Sequence, residues 1–460
     1  MTEFRSPFAD AQAEPPHSPS RLLRFSAIVV PVYAAAMPAT VYLPAIYARD
    51  FGVPLALIGA LFLAGQILNA VLDPLVGALS DRTRSRFGRR KPWVAAGGVL
   101  FTLGGALLFF PPAQISAGYI IAALLLFNLG WAAVQTAFLA WSGEITGHYH
   151  QRTRIATYQT VIGAIALFVV LVLPAIADQF RPADGRLQLT LMGGLIVATA
   201  LPAMLLTLTA FREPTEFAPA SPFSVGQSLR AVFANRLLLR VLFSDVAVRA
   251  GQGVRGTLMV FFIGIYMQRP EWAAGLFLFQ YVFGIIAGPI WLRISARFGK
   301  HRAAVAGELV QVVINLGLIF ATPDNFGLVL ALAVAQGLSQ GSGNLMLRSM
   351  VADIADKHRY ETGEERTGLY YSVFSLSEKA GGALAIGIAL PLVAWLGFDP
   401  KLATNSTEAL HGLLYVFALG PALGHLVSAL LVARFPLDEA AHSEIRRRLD
   451  AGPTVLSPAE

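Results

Sequence analysis

The sequence predicts an all-α polytopic membrane protein of twelve transmembrane helices arranged in two six-helix halves. Three observations carry that expectation. Of the 460 residues, 55% are hydrophobic and only 14% charged, against about a quarter charged in soluble domains, and the mean hydropathy is +0.60. Apolar stretches of roughly 18 to 28 residues recur about twelve times, each long enough to cross a ~30 Å hydrocarbon layer as a helix. The longest internal connection, rich in Pro, Ser and Ala between Phe211 and Arg236, leaves six of these stretches on either side.

Taken in order, residues 1–22 are polar and proline-rich, with neither an early apolar core nor a small-residue cleavage site, and read as a cytoplasmic tail. The first six-helix bundle covers residues 23–211, with spans centred near Tyr33, Leu63, Leu103, Leu124, Leu167 and Ile196. A central cytoplasmic loop takes residues 212–237. The second bundle covers residues 238–436, centred near Gly256, Phe283, Val313, Val334, Ala385 and Ala418, and residues 437–460 form a cytoplasmic tail whose Arg446, Arg447 and Arg448 suggest a basic juxtamembrane helix. Orientation follows from lysine and arginine placement: the connections after spans two, four, six, eight and ten are the basic ones, which puts both termini in the cytoplasm.

Composition also removes several functions. Without cysteine there are no disulfides, thiolate metal sites or cysteine nucleophiles, and the one close histidine pair, His148 and His150, sits in a polar connection and reads as solvated. The formal charge of +7 lies at the membrane edge, the pattern of topological sorting and not of nucleic-acid binding. A membrane-embedded enzyme would need a convergent nucleophile, a metal set or paired acids, and none is evident.

Charge inside the apolar runs points the other way. An ionisable group at the bilayer centre costs several kcal/mol and marks function by default. In NAVLDPLVGAL, Asp73 is such a group; Asn69 lies one turn earlier on the same face, and Pro74 frees a backbone carbonyl one turn back. Together they offer oxygen ligands to a small hard cation, or a proton network. Span seven, with FSDVAVRAGQGVRGTL, has Asp245 and Arg249 spaced to pair along the helix. Arg255 has no such neighbour, which leaves it to neutralise a carboxylate elsewhere or to bind an anionic solute such as a uronate or sulfonate. A weak internal echo joins the halves: Pro74 to Gly88 resembles GPIWLRISARFGKHR from Gly288, and GEITGHYHQRTR from Gly143 resembles ADIADKHRYETGEERTG from Ala352. Two halves repeated in one orientation are expected to hold a site at the midplane between them.

GALSDRTRSRFGRRK, after span two, resembles the signature loop of the major facilitator superfamily. The wider DPLVGALSDRTRSRFGRRKPW resembles the glycoside, pentoside and hexuronide cation symporter family, to which the melibiose carrier belongs. Ala137 to Gln159, GPIWLRISARFGK, and Met350 to Ile388 with Lys379 resemble further blocks of that family in both halves.

That resemblance implies the major facilitator fold and a secondary active carrier in the bacterial inner membrane, importing a glycoside or related polar solute with a cation by alternating access. It places Lys379 opposite Asp73 as a coupling switch. Sodium-coupled members carry Asp-x-x-x-Asp-Pro, where this chain has Asn69, and a third acid on span four, where it has Gln135. Desolvation favours the protonated form of a lone carboxylate, so a proton is expected ahead of sodium, with uncoupled transport still open. By family position, Tyr33, Trp131, Gln135, Thr160, Asn344 and Ser375 face the solute beside Arg255; Tyr33 and Thr160 stand where relatives have charged sugar ligands. Gly77, Asp81, Arg82, Gly88 and Arg89 form the gating signature, with Gly77 allowing close helix approach and Asp81 capping a helix or pairing with the other half. Glu144 with Arg152, and Asp353 and Asp356 with Arg366, are the equivalent latches. No cofactor or metal is expected beyond H+ or Na+, and no partner beyond a sugar-like solute and membrane lipids, with the chain a monomer. An exporter, a carrier of an amphiphilic or lipid-like substrate, and a non-transporting membrane sensor remain as alternatives.

Overall fold

The computed structural model describes residues 17–145, 149–181, 184–213, 230, 232–340, 342–363, 366–402, 404–437 and 439–450. His148, the side chains of His150 and Arg152, and most of the amino-terminal tail and central loop therefore lie outside the described residues. Among those described there are no strands, and 12 helices are long and apolar enough to cross a membrane. In the first half these are span one (Val29–Asp50), two (Leu55–Arg82), three (Lys91–Phe109), four (Ala117–Glu144), five (Arg154–Phe180) and six (Gly185–Ala210). In the second half they are span seven (Arg236–Tyr266), eight (Pro270–Phe298), nine (Lys300–Phe320), ten (Pro323–Thr362), eleven (Leu369–Trp395) and twelve (Thr407–Val432).

Local chemistry sets where several spans start and bend. Ser116, Asp184, Asn235 and Ser406 each accept a backbone N–H three residues on, capping spans four, six, seven and twelve. Pro38 opens a π-helical turn, Pro38–Tyr42, inside span one. Span ten is two helices, Phe326–Ser339 and Ser342–Thr362, because Gln340 leaves the helical region at ψ 144°.

Small residues bring spans three and four together. A methyl group added at Gly97 would sit 2.6 Å from the Ala133 Cβ, and one at Gly130 would overlap the Phe101 backbone. In lipid, where apolar contact alone gives helices no reason to associate, such close backbone approach is what stabilises a crossing.

The apolar core is shared unevenly between the two faces of the bundle. Toward the face opposite the chain ends, one cluster draws on both halves, from Tyr42 and Ile46 of span one and Ile58 of span two to Phe262 of span seven and Leu390 of span eleven. At the face carrying the chain ends the core divides. Phe25, Val94, Phe138 and Trp141 pack within the first half, and Leu238, Val351, Tyr370 and Phe374 within the second. The halves are therefore sealed at one face and separated at the other. Contacts between them run chiefly through span two with span eleven and span five with span eight, where Tyr281 donates to the Ala164 carbonyl at 2.9 Å, with span one also touching spans seven and eight.

Both described chain ends are helical. Pro19–Ser26 buries Leu22 and Phe25. The basic segment near the other end is the helix Glu439–Asp450, and it docks on protein: His442 and Arg446 reach Asp356 at 3.0 and 3.3 Å, and Arg448 donates to the Tyr360 hydroxyl at 2.7 Å.

Candidate functional site

A cavity of about 360 Å³ opens between the halves, walled by spans one, two, seven, eight, ten and eleven. Half of its polar lining is amide: Gln66, Gln252, Gln280, Gln336 and Gln340 come from four different spans, beside Thr40 and Thr257. Arg249, Arg255 and Glu378 add charge, and Phe277 an aromatic face. Amides in a partly apolar wall present both donors and acceptors, the chemistry a polyhydroxylated solute needs.

Next to this wall, Lys379 of span eleven forms an ion pair with Asp73 of span two, linking the two halves. The side chains remain 29% and 24% exposed, so the pair is not sealed off. Thr136 of span four donates weakly to Asp73 at 3.4 Å. Asn69, expected to share a cation with Asp73, instead donates its amide to Asn128 at 2.7 Å, leaving its own carbonyl oxygen buried and without a hydrogen-bond partner. Gln135, expected beside Asp73, accepts from the Trp131 indole at 2.6 Å. One residue further along the helix turns the side chain by about 100°, which is why Thr136 and not Gln135 meets the carboxylate.

A second charge cluster stands beside the first. Arg249 pairs with Glu378, the sequence neighbour of Lys379, and lies 3.5 Å from Asp245, whose other oxygen accepts from Ser377 at 2.8 Å. The pairing read from the spacing of Asp245 and Arg249 is present, with Glu378 as an additional partner. Arg255 is only 6% exposed and donates to Asn315 at 3.4 Å. Among the described residues it has no carboxylate partner, so the expectation that it neutralises one is not met.

The other positions expected to face a solute are scattered. Asn344 donates to Gln252 at 3.3 Å and so stands one layer behind the cavity wall. Ser375 is exposed one turn from Lys379. Trp131 packs on Phe101 and Phe127. Tyr33, 46% exposed, lies against Gly163 of span five, and Thr160 is exposed on that span. None of these six, counting Gln135, lines the central cavity. The five cavity glutamines are the residues that sequence reasoning missed; an isolated amide in an apolar run was their only signal.

At the open face the signature loop builds a charge cluster within the first half. Arg90, 4% exposed, is its hub, pairing with Asp81 and with Glu144 at 2.7 Å and donating to Ser80. Burial alone would lower the proton affinity of the Arg90 guanidinium, and Glu144 with Asp81 more than reverse this, raising it above its ordinary value. Arg89 also reaches Glu144 at 2.7 Å. Glu213, just after span six, accepts from the backbone N–H groups of Arg89, Arg90 and Lys91 at 3.0, 2.7 and 3.1 Å, so a carboxylate caps the start of span three. Gly88 is required there twice, by its φ of +104° and because a methyl group would overlap Glu213.

The expected latches are rearranged accordingly. Asp81 pairs inside its own half, and the Glu144 partners in view are Arg89 and Arg90, Arg152 lying outside the described side chains. Arg82 is exposed at the end of span two. Gly77 is not tightly packed, since a methyl group there would meet Thr136 at an ordinary 3.7 Å. In the second half Asp353 takes Lys300 at 2.8 Å and Asp356 takes the carboxy-terminal helix, while Arg366 begins span eleven.

Comparison with known proteins agrees with this architecture. Residues 24–439 match the family described as MFS/sugar transport protein. The inner membrane symporter YicJ of Escherichia coli is 27% identical across 86% of this chain and 86% of its own length. The isoprimeverose transporter of Lactiplantibacillus pentosus is 22% identical across 86% of this chain and 84% of its own. Among solved structures, a variant of the nucleoside transporter NupG matches with a TM-score of 0.68 at 13% identity, covering 91% of this chain and 99% of that one. With its membrane bundle matched almost end to end, the chain belongs to the MFS/sugar transport protein family, the glycoside, pentoside and hexuronide type that its loops resemble, and is an integral membrane transporter and not an enzyme.

Proposed function

We propose that this transporter is a cation-coupled symporter of a sugar-like solute, with a proton as the coupling ion. The observation that carries the reading is the Asp73–Lys379 pair, which joins opposite halves beside an amide-lined cavity. A cavity of about 360 Å³ lies within the ~300–1,000 Å³ range of small-molecule sites. Protonation of Asp73 removes one of the two charges holding spans two and eleven together, so the same event that loads the ion frees the halves to rock. A lone carboxylate whose neighbours are an ammonium, a threonine and an amide supplies few oxygens to sodium, which favours the proton.

The solute is bound by the cavity glutamines, with Arg255 engaging an acidic group when one is present. The buried guanidinium without a carboxylate partner supports a uronate-like solute over a neutral one. With the basic loops in the cytoplasm of a bacterial inner membrane, the separated face is cytoplasmic and the conformation described is inward-facing. The carrier works as a monomer in its lipid annulus.

Proteoliposomes under imposed proton or sodium gradients, screened with labelled neutral glycosides and uronates, test the reading. Concentrative uptake driven by the proton gradient is expected. Uptake driven by sodium and indifferent to the proton gradient would overturn the choice of ion, and absence of counterflow with every solute would favour a sensor or an amphiphile carrier.

A further inference from the structure

Away from the central cavity, the second half buries another pair of titratable side chains. Glu308 of span nine and His425 of span twelve are 2% and 1% exposed, and the His425 Nδ1 lies 2.5 Å from a Glu308 carboxylate oxygen. The other imidazole nitrogen is buried without a hydrogen-bond partner. Neither residue lines the cavity, and neither has a place in the coupling scheme above.

The pair is pressed against the break in span ten. Gly343, in the first turn after that break, lies so close to Glu308 that a methyl group would overlap the carboxylate, and Gly307 of span nine receives the Ser342 side chain in the same way. On either side of the break are groups tied to the cavity. Gln340 lines it, and Asn344 donates to Gln252, which also lines it. A change of charge on Glu308 is therefore felt where span ten bends, within a turn of the solute wall.

Among the described residues no other charged group pairs with either side chain. On span seven, Arg240 donates to the Leu431 carbonyl, Asp245 and Arg249 engage Ser377 and Glu378, and Arg255 donates to Asn315. Arg293 and Arg297 of span eight and Arg348 of span ten are exposed. Asp353 is held by Lys300, and Lys379 by Asp73. Holding one proton between them, as carboxylate and imidazolium or as acid and imidazole, Glu308 and His425 are together neutral. Without it they leave a net negative charge sealed in the bundle interior, which desolvation opposes.

We propose that Glu308 and His425 form a proton-binding site of the second half, distinct from Asp73 and Lys379, whose loss of one proton shifts span ten at its break and with it the balance between conformations. The functional meaning rests on the alternating carrier reading; the site itself is testable without any solute.

The chain has no cysteine, so Phe87→Cys and Phe298→Cys, both at exposed positions on opposite halves, allow spin labels to report the opening in lipid nanodiscs between pH 5 and pH 9. With Asp73→Asn added throughout to silence the proton site of the coupling scheme, the labelled parent is expected to change its ratio of short to long distances about tenfold across one single-proton transition. Glu308→Gln and His425→Gln are each expected to abolish that transition. Gly343→Ala, which keeps both titratable groups but displaces the carboxylate, is expected to alter that pH response and serves where either amide variant fails to fold. A pH response unchanged in all three variants, or none in the parent, overturns the inference. Either result leaves the carrier reading standing, because solute counterflow is measured separately.

Discussion

Lys379 pairs with Asp73 across the two halves of the bundle, while its neighbour Glu378 is held by Arg249 within the second half. Consecutive residues of span eleven thus serve opposite ends: one ties the helix to its own half, and the other ties that half to its partner. Only the second link is broken by neutralising Asp73.

Arg249→Gln leaves Asp245 and Glu378 without their cation, and thermal stability in detergent should fall. Adding Glu378→Gln should restore part of the loss, with a coupling of about 1–3 kcal/mol in a double-mutant cycle. Strictly additive effects would show that the pair contributes nothing.

At the open face, Glu213→Ala removes one carboxylate from three backbone N–H groups. The expected destabilisation is about 1–2 kcal/mol, the range of a lost helix cap. Gly88→Ala should cost at least as much, since it meets both the left-handed backbone and Glu213. Melting temperatures equal to the parent for both variants would remove Glu213 from the account of this loop.

Gly130→Leu should separate spans three and four, because the added side chain has only the Phe101 backbone to enter. Low yield and a lowered melting temperature are expected. A normally folded, active Gly130→Leu protein would mean that this crossing is not the tight contact described.

Arg255→Gln tests recognition. Loss of one charge-assisted hydrogen bond, about 1.5–3 kcal/mol, should raise the KM for a uronate roughly tenfold to a hundredfold and leave a neutral glycoside nearly unaffected. An equal effect on both solutes would assign Arg255 to packing.

The bundle was legible because a bilayer demands unbroken apolar runs and basic loop ends, signals that survive without tertiary information. Asp73 stood out for the same reason, as a charge where charge is costly, and Lys379 through the family resemblance of its block. Rotation about each helix axis was not legible. The choice of Gln135 over Thr136 at Asp73 is an error of one residue, and the cavity glutamines, being neutral, barely disturb the hydropathy of their spans. In the run from Arg82 to Lys91, every cation looks alike until packing buries Arg90 and leaves Arg82 exposed. The break in span ten was overlooked, although Gly341, Ser342 and Gly343 mark it in the sequence.

Coupling through Asp73 and Lys379 is tested most directly by comparing concentrative uptake with counterflow in proteoliposomes carrying the parent, Asp73→Asn or Lys379→Ala. Both variants are expected to insert normally and lose accumulation driven by a proton gradient by at least about tenfold, while Asp73→Asn retains counterflow because the permanently neutral side chain still lets the halves rock. Accumulation at parental levels in either variant would contradict the assignment of this pair as the coupling switch.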